Sequence, residues 1–191
     1  MRIIGGTLRG RQLARPSGSG TRPTAGLVKE ALFNILAEKI PGARFLDLFA
    51  GAGAVGIEAL SRGAKSATFV ESHPATCRLL RDNLRRCGYE RVATIRQTPV
   101  DRFLQQQATN AAALPYDIVF LDPPYHTDEG GNILPALGRG VIISRDGVVV
   151  LEHFHKTRLA DQIGHLALIK TYRYGDTLLS MYERAPLVEE P

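Results

Sequence analysis

Apolar residues recur along this chain in two rhythms. Five runs of six residues, Arg44–Phe49, Ser66–Glu71, Val92–Gln97, Asp117–Asp122 and Gly147–Glu152, concentrate apolar side chains and predict strands. Between them, Val55–Arg62, Pro74–Cys87, Pro99–Gln107 and roughly Glu129–Leu137 space their apolar positions three and four apart, as one face of a helix does. Strand–helix alternation predicts a parallel sheet covered on both faces. Leu166–Tyr172 and Thr177–Glu183 flank "RYGD" and predict a closing antiparallel hairpin. Upstream, "RIIGGTLRGRQLARP" reads as two short strands around a glycine-containing turn, and "SGSGTRP" as a loop. Thr24 is positioned to cap a helix carrying Val28, Leu32, Ile35 and Leu36 and ending near Pro41–Gly42. The expected organisation is a basic extension over residues 1–23, an α/β domain over 24–184 and a tail over 185–191.

Composition narrows this little, and charge more. The chain has 191 residues, 44% hydrophobic and 23% charged, enough for one α/β domain with a full core. No window approaches a membrane span, and the first residues lack the apolar core of a signal peptide, so a cytoplasmic protein with no membrane partner is expected. Cys77 and Cys87 stand ten residues apart in one helical segment, which favours two reduced thiols over a disulfide or a metal site. Net charge is +5, and its distribution says more: Arg2, Arg9, Arg11, Arg15, Arg22 and Lys29 precede the first acid, Glu30. That segment is either a field for a polyphosphate ligand or a solvated flexible arm.

"LDLFAGAGAVGIEAL" sets Gly51, Gly53 and Gly56 between a strand and a helix, and Glu71 ends the next strand. The spacing fits a nucleotide-type loop with an acid for a ribose. A purely structural turn would give the same glycines. Asp47 decides between ligands, because a carboxylate beside the loop repels a pyrophosphate at short range and attracts an ammonium. S-adenosylmethionine carries an ammonium and a sulfonium and no phosphate, so it is favoured over a nicotinamide dinucleotide. A carboxylate that merely caps the loop's own amides is the structural alternative for Asp47.

"LDPPY" then ends the fourth strand on Asp122, on the rim where an open parallel sheet binds its ligands. Pro123 and Pro124 hold the residues before them extended and contribute no N–H. Asp122 and a neighbouring backbone carbonyl would form a stiff pair of acceptors beside the Tyr125 ring. Such a pair suits a planar amino group conjugated with a base, and Tyr125 would stack on that base. A positively charged sulfonium is already a good leaving group, so positioning supplies most of the remaining acceleration and no metal is needed. His126, His153 and His155 have no role in this chemistry.

At these residues the chain resembles the amino-methyltransferases with an [Asp/Asn]-Pro-Pro-[Tyr/Phe] motif. More narrowly, "RIIGGTLRGRQL", "TRPT", "LVKEALFNIL", "LDLFAGAGAVGIEALSRGA", "FVE", "FLDPPY" and "YRYGDTLLSMY" are similar, in order and over nearly the whole chain, to the bacterial 16S ribosomal RNA guanine-N2 methyltransferase family of the small-subunit methyltransferase D type. The resemblance implies a Rossmann-like S-adenosylmethionine-dependent methyltransferase sheet, S-adenosylhomocysteine as product, and a monomer acting on 16S ribosomal RNA in an assembling 30S subunit. By position it implies a donor site from Asp47, Phe49, Gly51, Gly53, Glu71, Ser72, Thr98, Val100 and Asp122. It implies catalysis at Asp122, Pro123 and Tyr125, and RNA contacts from Arg2, Arg9, Arg11, Arg22, Thr24, Pro124 and Tyr125. Relatives often carry an acid where this chain has Pro99, so adenine contacts are expected from the backbone near Thr98 and Val100, or from Asp101. Other amino-methyltransferase substrates (a DNA adenine or a protein glutamine) and a non-catalytic RNA-binding assembly factor are the alternatives.

Overall fold

The computed structural model describes residues 1–15, 23–110, 114–124, 129–139 and 142–185. In chain order the elements are α1 (Pro23–Ile35), β1 (Arg44–Leu48), α2 (Ala54–Ser61), β2 (Ser66–Glu71), α3 (Pro74–Cys87), β3 (Ala93–Gln97), α4 (Val100–Ala108), β4 (Tyr116–Leu121), α5 (Glu129–Gly138), β5 (Ile143–Phe154), β6 (Gln162–Ile163), β7 (Leu166–Tyr174) and β8 (Thr177–Arg184). They form one eight-stranded sheet in the order β3-β2-β1-β4-β5-β8-β7-β6. β1 pairs in parallel with β2 and β4, and the parallel ladder continues outward to β3 and β5. β8 returns antiparallel to β5, and β7 antiparallel to β8. The expected mostly parallel α/β sheet with a closing antiparallel hairpin is therefore the architecture.

Alternation along the strands explains the two helix layers. Phe45, Phe69, Phe120 and Val150 face one side, where they pack on α1, α2 and α3 through Leu32, Phe33, Ile57 and Leu80. Leu46, Leu48, Val70, Val119 and Leu151 face the other, against Phe103 and Leu104 of α4 and Leu134 and Leu137 of α5. Both faces of the central strands are thus apolar, as a parallel sheet between helices requires. Among the described residues no helix is long and apolar enough to cross a membrane.

Four local expectations are corrected. α1 begins at Pro23, so Thr24 lies inside its first turn rather than capping it, and the helix ends at Ile35, short of Pro41–Gly42. The two strands expected near the N-terminus reduce to a single antiparallel bridge, Arg2↔Gln12. β5 starts at Ile143 instead of Gly147: its ladder with β4 passes from Tyr116↔Ile143 to Ile118↔Val148, and the intervening "SRDG" bulges out of register. β6, two residues long, is too short to leave a pattern in sequence.

The reading of the N-terminal segment as a solvated arm does not hold for residues 1–15. Ile3 and Leu13 are fully or nearly buried. Glu58 on α2, also fully buried, accepts the Ile4 and Gly5 N–H groups at 2.9 and 2.7 Å and ion-pairs with Lys29 at 3.1 Å and Arg62 at 2.9 Å. Lys29 also donates to the Arg2 carbonyl at 2.7 Å. A buried carboxylate so fully satisfied fixes the extension on the α1–α2–α3 side of the sheet.

Candidate active site at the carboxyl rim of the sheet

The chain leaves β1 through a strained loop. Phe49, with φ 62°, takes a left-handed conformation that non-glycine residues rarely adopt, and Gly51 and Gly53 follow at φ 54° and 85°. A Cβ on Gly53 would crowd the Leu80 and Ile57 side chains, adding to a backbone angle that already favours glycine. A Cβ on Gly51 would meet nothing within 4 Å. There the backbone is open to an approaching ligand.

Two carboxylates hold this loop from the strands beneath it. Asp47 is 2% exposed, and its Oδ2 accepts the Gly56 N–H at 2.9 Å. Gly56 sits in the first turn of α2, whose own N-cap, Gly53, offers no side chain. Asp47 therefore caps α2 from β1, stabilising orphan amides at the positive end of the helix dipole. Glu71 at the end of β2 accepts the Gly51 N–H at 3.0 Å through Oε2 and the His73 N–H at 2.7 Å through Oε1. The alternative weighed for Asp47, a carboxylate capping the loop's own amides, is the contact observed.

Burial pushes the Asp47 carboxyl up to about 7; the Gly56 N–H opposes the shift, and the charges of Asp122 and Glu71 add to it. Folded Asp47 thus holds a proton that the unfolded chain has released. Its contribution to stability is full below about pH 4 and is lost as pH rises through about 7. Asp47→Asn keeps an acceptor for Gly56 and removes the titration. Urea unfolding at pH 5 and pH 8 should show wild type losing more stability than the variant over that interval. Equal losses would remove Asp47 as their source.

The remaining rim residues come from β3, β4 and β5. β1 and β4 are hydrogen-bonded neighbours, and the register Leu48↔Leu121 brings Phe49 and Asp122 level just beyond the ladder. Asp122 is exposed, Pro123 is buried and Pro124 is exposed. Tyr125 and Arg22 lie outside the described residues, and the structure says nothing of the Thr24 side chain. Beside the loop opens a cavity of about 840 Å³; Phe49, Glu71, Ser72, Thr98, Pro99, Val100 and Asp101 form its rim end, and it continues between α4 and α5 past Leu104 and Ile133. Five of the expected donor residues, Phe49, Glu71, Ser72, Thr98 and Val100, line this cavity, and Gly51 is tied to it through Glu71. Arg2, Arg9 and Arg11 lie on the docked extension, away from the cavity lining.

Three residues were missed by the sequence reading. Glu58 holds the extension. Asn83 of α3, fully buried, accepts the Ala14 N–H at 2.9 Å and donates to the carbonyls of Ala14 at 3.0 Å and Ala52 at 2.9 Å, tying the extension to the glycine loop. Glu152 follows the last β4–β5 pair, Leu121↔Leu151, on β5, just as Asp122 follows it on β4. Val148 and Val150 face the α1–α3 side, so strand alternation carries Glu152 to that same side, as it carries Asp122 after Phe120. The signal was present, because β1, β2, β4 and β5 each have an acid at or near their carboxyl end: "LDL", "FVE", "FLD" and "VLE". His153 is a packing residue, its Nε2 2.8 Å from Ser180 Oγ and its pKa lowered by burial.

With this geometry in view, the relatives of the chain become informative. A Bacillus subtilis protein named "Putative rRNA methyltransferase YlbH" is 33% identical over 96% of this chain and 99% of its own length. "Ribosomal RNA small subunit methyltransferase D" of Haemophilus influenzae is 44% identical over 66% of this chain and 64% of its own. The solved structure "Putative methyltransferase yhhF from Escherichia coli" superposes with a TM-score of 0.84 at 32% identity, covering 97% of this chain and 98% of that one. The family described as "Conserved hypothetical protein 95" matches residues 1–183, and the chain belongs to it.

Proposed function

We propose that the protein transfers the methyl group of S-adenosylmethionine to the exocyclic N2 amine of a guanine in 16S ribosomal RNA, acting as a monomer on the assembling 30S subunit. The names of the relatives support ribosomal RNA methylation. The observation that supports the finer reading is that the strained glycine loop and Asp122 follow neighbouring strand ends, so that a donor held by the loop would lie beside an amine held by Asp122. In this reading Glu71 accepts the ribose hydroxyls, the Thr98–Asp101 segment frames the adenine, and the acid-lined loop attracts the donor's ammonium.

The chemistry needs little more than alignment. The N2 lone pair of guanine is delocalised into the ring. Asp122 and the Pro123 carbonyl accept its two hydrogens, turn the lone pair toward the methyl carbon, and favour the pyramidal nitrogen of the transition state. The N–C bond forms as the C–S bond breaks, leaving neutral S-adenosylhomocysteine. The nitrogen becomes acidic only then, and its proton passes through Asp122 to solvent. A paired or stacked guanine must first be extruded into the site.

Glu152 supports guanine over adenine. The Watson–Crick edge of guanine offers donors at both N1 and N2, and Asp122 with Glu152 supplies two neighbouring acids at one level of the rim. Adenine has an acceptor at N1, which a carboxylate at that position would repel. Mass spectrometry of 16S nucleosides from cells with and without the protein tests the reaction: N2-methylguanosine should fall, and a loss of N6-methyladenosine instead would overturn it. Replacing the target guanine by 2-aminopurine, which keeps the amine and lacks the N1 hydrogen, tests the role of Glu152. Wild type should prefer guanine by about 10- to 100-fold, the range of a hydrogen bond to a charged acceptor, and Glu152→Ala should erase most of that preference.

A further inference from the structure

The cations of the N-terminal extension do not stand alone. α3 exposes Arg78, Arg81, Arg85 and Arg86 and carries a single acid, Asp82. Its buried positions Cys77, Leu80, Leu84 and Cys87 hold it to the sheet, while Asn83 clasps Ala14 of the extension by both N–H and carbonyl. The Arg11 guanidinium donates to the Arg86 carbonyl, so the extension lies alongside the last turns of α3. The positive charges of two segments distant in sequence thereby merge into one surface.

Two ordinary explanations of these arginines fall short. Cations in the last turn of a helix complement its dipole, which accounts for Arg85 and Arg86 but not for Arg78 and Arg81. A face kept merely soluble mixes Lys and Glu at i,i+4 spacing, whereas every exposed cation on α3 is an arginine. Arg85 has acidic partners, Asp82 and Glu90, both at 3.5 Å and well exposed, and such pairs are weak. Arg78, Arg81 and Arg86 have no acidic partner among the described residues. The forked guanidinium suits phosphate oxygens, which it can bind with two parallel hydrogen bonds.

We propose that α3 and the docked extension form one phosphate-binding track for the RNA strand flanking the modified nucleotide. From Arg78 to Arg86 the helix advances about 12 Å. Its first turn starts beside Glu71 on the carboxyl rim, and Asp122 lies two strand spacings away, about 10 Å. A nucleotide extruded from a strand on this track is within reach of the acceptor pair. The track rests on the reading of the substrate as RNA, but not on which atom is methylated.

The test uses the full chain, with a 16S ribosomal RNA transcript for binding and 30S assembly particles for methyl transfer. Arg78→Gln/Arg81→Gln/Arg86→Gln is compared with a control triple, Arg102→Gln/Arg145→Gln/Arg158→Gln, whose exposed arginines lie off the track. RNA affinity by fluorescence anisotropy across a salt series should show the track variant's log–log slope shallower by about 2, given about 0.7–0.9 for each phosphate that is no longer neutralised, with the control unchanged. KM for RNA should rise while kcat at saturating RNA and the calorimetric Kd for S-adenosylmethionine stay within twofold. Equal slopes for both triples, or a fall in donor affinity or kcat confined to the track variant, would overturn the track. A shallower slope in a protein whose wild type leaves no methyl group on 30S assembly particles would uphold the track and sink the reaction.

Discussion

Asp122→Ala is expected to abolish methyl transfer, by about 10²–10³-fold or more in kcat, while the affinity for S-adenosylmethionine stays within a few-fold of wild type. The alanine removes the charged half of the acceptor pair and leaves the glycine loop intact, since the loop is held by Asp47 and Glu71. The amine can then rest flat, its lone pair in the ring, and misalignment of that kind alone costs about 10²-fold. Asp122→Asn keeps one acceptor oxygen without the charge and should fall between the two. Glu71→Ala should behave the opposite way: it frees the Gly51 and His73 amides and removes the ribose acceptor, so donor affinity drops by about tenfold or more. One further readout separates these roles. The Asp122 charge helps to raise the Asp47 pKa, so Asp122→Ala should shift the pH window of the Asp47 stability effect downward. Calorimetry and single-turnover transfer on both variants decide the matter, and equal loss of donor binding in both would undo the division of roles.

Much of this was legible before any coordinates because the central strands are buried on both faces and their helices are amphipathic. Ser66–Glu71 and Pro74–Cys87 have the predicted ends, since a terminal acid, a proline and a glycine mark those boundaries chemically. Errors gathered where tertiary contacts override local signals. Thr24 is a good cap in isolation, yet Pro23 already supplies a first helical position with a fixed φ. The bulge before Gly147 separates two halves of one long strand that only the ladder with β4 reveals. At the site, the glycines and Asp122 could be found because each answers a local demand of the chain. Glu58 and Asn83 could not: each lies in a helical pattern as an ordinary polar residue, and its hold on the extension depends on partners 53 and 54 residues away for Glu58 and 69 for Asn83. Asp47 shows the two layers together, a residue picked for what it would do to a ligand and found supporting the loop that would hold one.

Glu58→Ala should cost the most stability of any single change considered, about 3–5 kcal/mol. Four groups lose an acceptor at once: the Ile4 and Gly5 amides, the Lys29 ammonium, which keeps only the Arg2 carbonyl, and the Arg62 guanidinium. The carboxylate is fully buried, so water cannot replace it without the extension lifting away. Glu58→Gln keeps one oxygen for an amide and loses the charge facing two cations, and should cost less than the alanine. Chemical denaturation measures both. Where the loss falls matters as much as its size. Ile3 and Leu13 pack into the core cluster shared by α1, α2 and α3, so undocking would expose them along with the chain between. Trypsin should then cut after Arg9 and Arg11 much faster in Glu58→Ala than in wild type, under conditions where the rest of the chain resists. RNA affinity should fall with the loss of the docked cations, and donor affinity should fall less, because the Ala52 carbonyl still has Asn83 as a donor from α3. A variant that unfolds within 1 kcal/mol of wild type, or one whose extension stays protected from the protease, would show that the apolar contacts of Ile3 and Leu13 hold the segment by themselves.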